Sequence, residues 1–362
     1  MKKLLFAFVF TLGLTVLFAS SGYEGQFSQS EDGTYQLQFN LGEYDLTSIE
    51  VDDQSFTKIL FDGSVFTKLK GYAELPYVNA SVQLGDDKNV MLKVIETEYT
   101  DYPLTQPLLP SRGVIYRDQD PSTIPYEVSP ASMRDEWYPQ NLSTNSTPFI
   151  LRDLRGTTVY AYPFRYNAVQ QVLRVYQSIT VQLVEDNTPA INPLPDKATV
   201  IEREMDPVYQ SLFVNYNSAK DLTIGEYGDI LVLCTSRDET AMEPYVQWKR
   251  EKGFDVFIET VSTGTNVKSV IQGAYANNND LLYVQLVGDW ADIKSDLLSG
   301  YAPMDPQLGC VVGTDDHPDI CIGRFSGNSA DQIAVQVDKV IEYEKNPDMG
   351  ADWYASALGV AS

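Results

Sequence analysis

The run Leu281-Leu-Tyr-Val-Gln-Leu-Val287 constrains this chain more than any other stretch. Nearly every residue in it is apolar or β-branched, so a strand built from it has no polar face and is buried on both sides. It stops at Gly288-Asp289, where a backbone leaving a sheet turns abruptly. A second such run, Asp229-Ile-Leu-Val-Leu-Cys234, precedes it and leads into an amphipathic helix, Glu239–Lys252, stopped by Gly253. A strand at Phe254–Glu259 and a helix near Asn266–Ala276 follow. A long helix then runs from Ser326 to Glu344, with Ile333, Val337, Val340 and Ile341 on one face. Ala357–Ala361 reads as a further buried strand. Strands alternating with helices predict a parallel α/β sheet, whose ligands collect beyond the carboxyl ends of its strands.

Upstream the pattern differs. From Tyr23 to about Val184, short alternating runs are separated by Gly, Pro, Asp and Asn: Tyr35–Phe39, Val90–Ile95, Val159–Phe164, Val172–Tyr176 and Ser178–Val184. They predict a β-rich domain, an antiparallel sandwich or barrel. Asp186–Pro195, with three prolines, reads as its edge, Glu202–Tyr216 as a short helix and Asn217–Gly228 as a linker. The expected organisation is a signal peptide at 1–22, a β-rich domain at 23–220 and an α/β domain at 221–362. The signal reading rests on Lys2-Lys3, the apolar run Leu4–Ala19 and the small residues Ala19-Ser20-Ser21. It implies a secreted or cell-surface protein with no membrane span once the signal is cleaved. The formal net charge of -24 argues against phosphate-backbone binding, and so against a nucleic-acid partner.

The chain holds one histidine, His317, and three cysteines, Cys234, Cys310 and Cys321. A nucleophilic Ser or Cys needs an imidazole beside it, and His317 stands between Asp316 and Pro318 with no nucleophile suggested nearby. Cys234 and Cys321 read as small buried hydrophobes in strands. No metal-type cysteine spacing and no phosphate-cradling glycine pattern occurs. The stretch Gly313-Thr-Asp-Asp-His-Pro-Asp319 is more informative. Calcium takes carboxylate and carbonyl oxygens from tight turns, which Asp315, Asp319 and the main chain between them supply. A solvated turn in an acidic protein is the alternative.

These residues resemble the gingipain family, secreted cysteine peptidases with a caspase-like α/β fold. The likeness rests on Tyr245–Gly253, Leu281–Asp289, Asp319–Ser326 and Ile341–Asn346. Upstream it rests on Pro110–Arg117, Pro148–Gly156 and Phe213–Tyr216, in what resembles the family's β-rich propeptide. The resemblance implies a cysteine endopeptidase precursor that acts on proteins or peptides after basic residues, its propeptide partnering its own catalytic domain. The family's catalytic His and Cys would fall after Ser362, so no catalytic residue is expected here and the chain is expected to be inactive alone. The acidic loop matches a family calcium site, with Val312 and His317 giving carbonyl oxygens and Asp315 and Asp319 carboxylates. Asp289 resembles a ligand of a second calcium. Arg117 matches an inhibitory or processed position, and Lys220, at the join between the domains, is a processing candidate. Two other readings stay open: a metal-dependent secreted hydrolase using the acidic loop, and a secreted β-rich binding or adhesion protein.

Overall fold

The period-two alternation of the N-terminal half is what lets its strands bury one face each. In the computed structural model, which describes residues 14–20, 23–29, 34–62, 65–116, 118–186, 188–195, 198–217, 223–298, 300, 302–356 and 358, they form two large antiparallel sheets and a separate hairpin of Asp45–Val51 with Gln54–Leu60. The first, six-stranded, orders Leu14–Ser20, Tyr23–Gln29, Tyr35–Leu41, Val172–Asp186 and Phe164–Asn167, with Asn89–Pro103 also on Val172–Asp186. The second, five-stranded, orders Phe149–Leu151, Leu154–Ala161, Pro76–Gln83 and Val65–Phe66, with Ser143–Asn145 on Leu154–Ala161. Leu37, Phe39, Val175, Ile179 and Val181 from one sheet share a core with Val78, Ala80, Val82, Val159 and Ala161 from the other. The domain is a sandwich.

One expectation needs correction. Val172–Tyr176 and Ser178–Val184 are one fifteen-residue strand whose register shifts between Tyr176 and Ser178. Leu173, Val175, Ile179, Val181 and Leu183 keep one phase and stay buried on both sides of the polar Gln177. The end of the apolar N-terminal run, Leu14–Ser20, pairs antiparallel with Tyr23–Gln29 as an edge strand. Residues 1–13 and 21–22 of the expected signal lie outside the described residues. Among the described residues, no helix is long and apolar enough to cross a membrane.

In the C-terminal half, four parallel strands are ordered Val256–Thr260, Asp229–Cys234, Leu281–Val287 and Cys321–Phe325. The expectation that the apolar runs are covered on both faces holds. Ile230, Val232 and Cys234 pack under the helices Glu239–Glu251 and Ala330–Lys345, while Leu231 and Leu233 pack under Val267–Asn277. The long helix starts at the cap Ser329, whose hydroxyl accepts from the Gln332 N–H. Of the strand expected at Ala357–Ala361, residues 357 and 359–361 lie outside the described residues, and Leu358 is 89% exposed rather than buried. Met205–Leu212 forms the expected short helix ahead of the α/β domain.

Candidate functional site

The acidic loop lies where the two domains meet, and its carboxylates are engaged. Phe149–Leu151 and Leu154–Ala161 form a hairpin across the two-residue turn Arg152-Asp153, with Arg152 at a φ of 52°. Phe149–Leu151 is the outer strand of its sheet, and Leu151 pairs with Leu154 at the turn. The N–H groups of Ile150 and Arg152, two residues apart, therefore point outward, where a bare edge would leave them without partners. Asp315 Oδ2 accepts from the Ile150 N–H at 2.8 Å, and Asp319 Oδ1 accepts from the Arg152 N–H at 2.9 Å.

Each carboxylate is held in place from its own side. Asp319, 2% exposed, accepts through Oδ2 from the Val311 and Val312 N–H groups, both at 2.7 Å. Burial pushes its carboxyl up despite these donors and that of Arg152. Asp315 Oδ1 accepts from the His317 N–H at 2.8 Å, and the His317 imidazole lies flat on Phe149, ring centroids 4.4 Å apart. Asn192 joins the loop from the other domain: its side-chain N–H donates to Asp315 Oδ2, and its Oδ1 accepts from the Thr314 N–H at 2.9 Å. Gly313 admits this approach, since a Cβ there would sit 2.6 Å from Asn192 Oδ1 and 2.8 Å from Ile150 Cδ1. The segment expected as a domain edge, Asp186–Pro195, is thus tied to both domains. Arg155 holds it to the sandwich by donating to the carbonyls of Ile191 and Asn192.

Arg152 fills the space under the hairpin. It is 2% exposed, and its guanidinium donates to both Glu202 oxygens, to the carbonyls of Leu281 (2.7 Å) and Asn279, and to that of Asp319 (3.4 Å). Tyr275 lies 5.5 Å from it. Beside it, burial pushes the Asp153 carboxyl up to about 6, against the pull of Arg152 and the Tyr209 hydroxyl. Phe149, Leu154, Ile201, Tyr209 and Phe213 close over Leu282 in an apolar cluster common to both domains. The sequence reading missed Arg152, Glu202 and Asn192. The one legible signal was an arginine at a tight hairpin turn inside an apolar motif.

The carboxyl ends of the parallel strands are built separately. Gly288, at a φ of 117°, turns the chain out of the sheet, and the Asp289 carboxylate accepts from the Trp290 N–H. Arg324 braces this rim, donating to the carbonyls of Gly288 and Ile293 and to both oxygens of Asp305. Asp289 and the acidic loop therefore sit at opposite ends of the Leu281–Val287 strand, roughly 20 Å apart at ~3.3 Å per residue. Val312, Asp315, His317 and Asp319 are gathered in one loop. Among the described residues, no three His, Cys, Asp or Glu side chains converge as a metal cluster. Arg117 and Lys220 lie outside the described residues.

Residues 25–223 match the family Propeptide_C25, and residues 224–362 match Peptidase family C25. The chain belongs to the C25 peptidase family. Gingipain R1 of Porphyromonas gingivalis is 28% identical over 342 residues, covering 92% of this chain and 34% of the relative. Gingipain R2 of the same organism is 28% identical over 342 residues, covering 92% of this chain and 46% of the relative. A solved complex of Porphyromonas gingivalis RgpB pro- and mature domains aligns with a TM-score of 0.46 and 25% identity, covering 56% of this chain and 98% of that one. The gingipain resemblance is borne out, and the chain spans less than half the length of these curated relatives. In this C25 precursor, the hairpin Phe149–Ala161 belongs to the region matched as propeptide, and the loop that receives it to the region matched as peptidase.

Proposed function

We propose that this chain is part of the latent precursor of an exported cysteine endopeptidase that cleaves proteins or peptides after basic residues. In it the sandwich acts as propeptide to the α/β domain. The observation that carries the reading is that both C25 regions are present in order and packed together through Asp315 and Asp319. On this reading a thiolate attacks the scissile carbonyl and an imidazole moves the proton. Residues 1–22 direct export to the medium or the cell surface. The deciding experiment is to express the full-length gene product and follow hydrolysis of Arg- and Lys-containing peptides before and after propeptide removal. Activity that rises on removal and is abolished by a thiol blocker supports the reading, and a full-length protein with no thiol-sensitive hydrolysis overturns it.

Calcium remains part of the proposal, as a structural ion. The donor set fits its preference for hard oxygens: two carboxylates, with carbonyls from Val312 and His317. Asp319 Oδ1 has a single hydrogen-bond donor and so keeps room for a cation. Asp289 would serve a second ion at the far end of the sheet. Saturation at a hundred times the dissociation constant would stabilise the chain by about 2.7 kcal/mol. Melting with calcium and with a chelator should differ for the wild type and coincide for Asp315→Ala. An undiminished calcium response in that variant removes the loop from the assignment.

Arg117 and Lys220 have the roles expected of an inhibitory side chain and a maturation site. A guanidinium entering an acidic specificity pocket would block it as a substrate does. In the full-length precursor, Lys220→Ala should prevent separation of the two parts, and a propeptide carrying Arg117→Ala should inhibit less. Normal maturation in the first variant and unchanged inhibition in the second would remove both assignments.

A further inference from the structure

The hydrogen bonds that join the two domains run to one end of the parallel sheet. Asn279 and the Leu281 carbonyl lie at the amino end of one strand, and Asp315 and Asp319 lie just ahead of Cys321, which begins its neighbour. Ligand chemistry in an α/β sheet collects at the other end, beyond Val287 and Phe325. The contact therefore differs in kind from a substrate-like plug. Its elements are two backbone N–H groups capped by carboxylates, one arginine side chain with all five of its N–H donors engaged, the Asn192 amide on Asp315 and Thr314, and the short parallel pair of Val200–Ile201 with Thr223–Ile224.

We propose that the acidic loop and the amino ends of the parallel strands are a receptor for the hairpin tip Ile150-Leu-Arg152, and that this mooring holds the sandwich to the α/β domain. Two consequences follow. A cut between residues 217 and 223 breaks the chain but does not release the sandwich. Release then requires the hairpin to leave the loop. The specificity lies in Arg152. A lysine there presents a point charge and three donors in place of the planar fork that reaches Glu202 and the carbonyls of Asn279, Leu281 and Asp319 together. This inference concerns association alone and stands or falls independently of peptidase activity.

The test uses the 362-residue chain with a cleavage sequence for a site-specific protease placed at residues 218–222. After cutting, the two pieces of the wild type should co-elute in size-exclusion chromatography at low micromolar concentration. Arg152→Ala should weaken their association by about a hundredfold or more, within the range found for truncating one partner of a buried charged pair. Arg152→Lys should weaken it less. Asp315→Ala, a change on the exposed loop that leaves the hairpin's own sequence intact, should separate the pieces by about tenfold and covers the case in which an Arg152 variant fails to fold. Arg174→Ala, which removes the outlying pair with Asp101, should change nothing. Separation of the nicked wild type overturns the proposal, as does undiminished co-elution of both the Asp315 variant and a folded Arg152→Ala variant.

Discussion

Purified on its own, the 362-residue chain should hydrolyse no Arg- or Lys-containing peptide above the buffer rate. A cysteine nucleophile works as its thiolate, in a setting that lowers its pKa. Here the environments act in the opposite direction. Cys234 is fully buried in the sheet, and burial pushes its thiol up to about 11, helped by Glu239 and Asp238. Burial also raises Cys310, against the pull of Lys268, and raises Cys321 against that of Arg152. The imidazole of His317 is stacked on Phe149 with Nδ1 3.3 Å from Asp315 Oδ1, and no hydrogen bond joins it to a thiol among the described residues. Fluorogenic peptides with Arg or Lys before the scissile bond, assayed with and without a thiol blocker, decide the matter. Blocker-sensitive turnover would show that one of these cysteines is activated after all. Alkylation at neutral pH adds an independent reading: Cys234 should stay unmodified until the chain is unfolded, whereas Cys321, whose residue is exposed rather than buried as its strand position suggested, should react in the folded protein, slowed by its raised thiol pKa.

The parallel sheet was legible because its signal is local. Strands Asp229–Cys234 and Leu281–Val287 are covered on both faces, and that requirement is written into consecutive apolar residues. The covering helices carry their own period and their own boundaries, a stop at Gly253 and a start at Ser329. The long strand Val172–Asp186 was read as two because the polar pair Gln177-Ser178 interrupts its apolar residues, and only the partner Asn89–Pro103 shows that pairing continues past it. The run Leu14–Ser20 illustrates a different limit: apolar residues next to a charged start satisfy a signal peptide and an edge strand alike.

The acidic loop was found, but its partners were not. The groups that Asp315 and Asp319 receive are main-chain N–H groups of Ile150 and Arg152, and every residue except proline offers one. Nothing in a side chain marks such a donor, and here donor and acceptor are separated by 165 and 167 positions. Arg152 fell within a motif noted for resemblance, yet arginines in turns are ordinarily exposed, and its burial depends on carbonyls at the end of a strand in another domain. What decided its role was the meeting of two domains, which periodicity does not encode.

Replacing Arg152 with methionine in the uncut chain should therefore be among its most damaging single substitutions. The arginine is 2% exposed and its ion-pair partner Glu202 only 8%. A buried ion pair carries little net stability relative to apolar residues of the same shape, because both charges have been taken out of water. Removing one partner is different, since the remaining charge keeps its desolvation cost and loses its compensation, typically about 3–5 kcal/mol. Arg152→Met strands Glu202 and takes a donor from the carbonyls of Leu281 and Asn279. Glu202→Gln keeps an acceptor for the guanidinium and should cost less. The double variant Arg152→Met/Glu202→Gln should recover part of the Arg152→Met loss, because Glu202 no longer carries a stranded charge while Asp153, 3.7 Å from the guanidinium, still loses its partner, so the two changes are not additive. Urea unfolding with linear extrapolation reads each value, and a common slope shows that the denatured states are comparable. If Arg152→Met costs less than about 1 kcal/mol, the guanidinium behaves as a surface ion pair does, and the buried arrangement under the hairpin is wrong. If the double variant is as unstable as the single one, the loss comes from the unpaired strand-end carbonyls rather than from the stranded carboxylate.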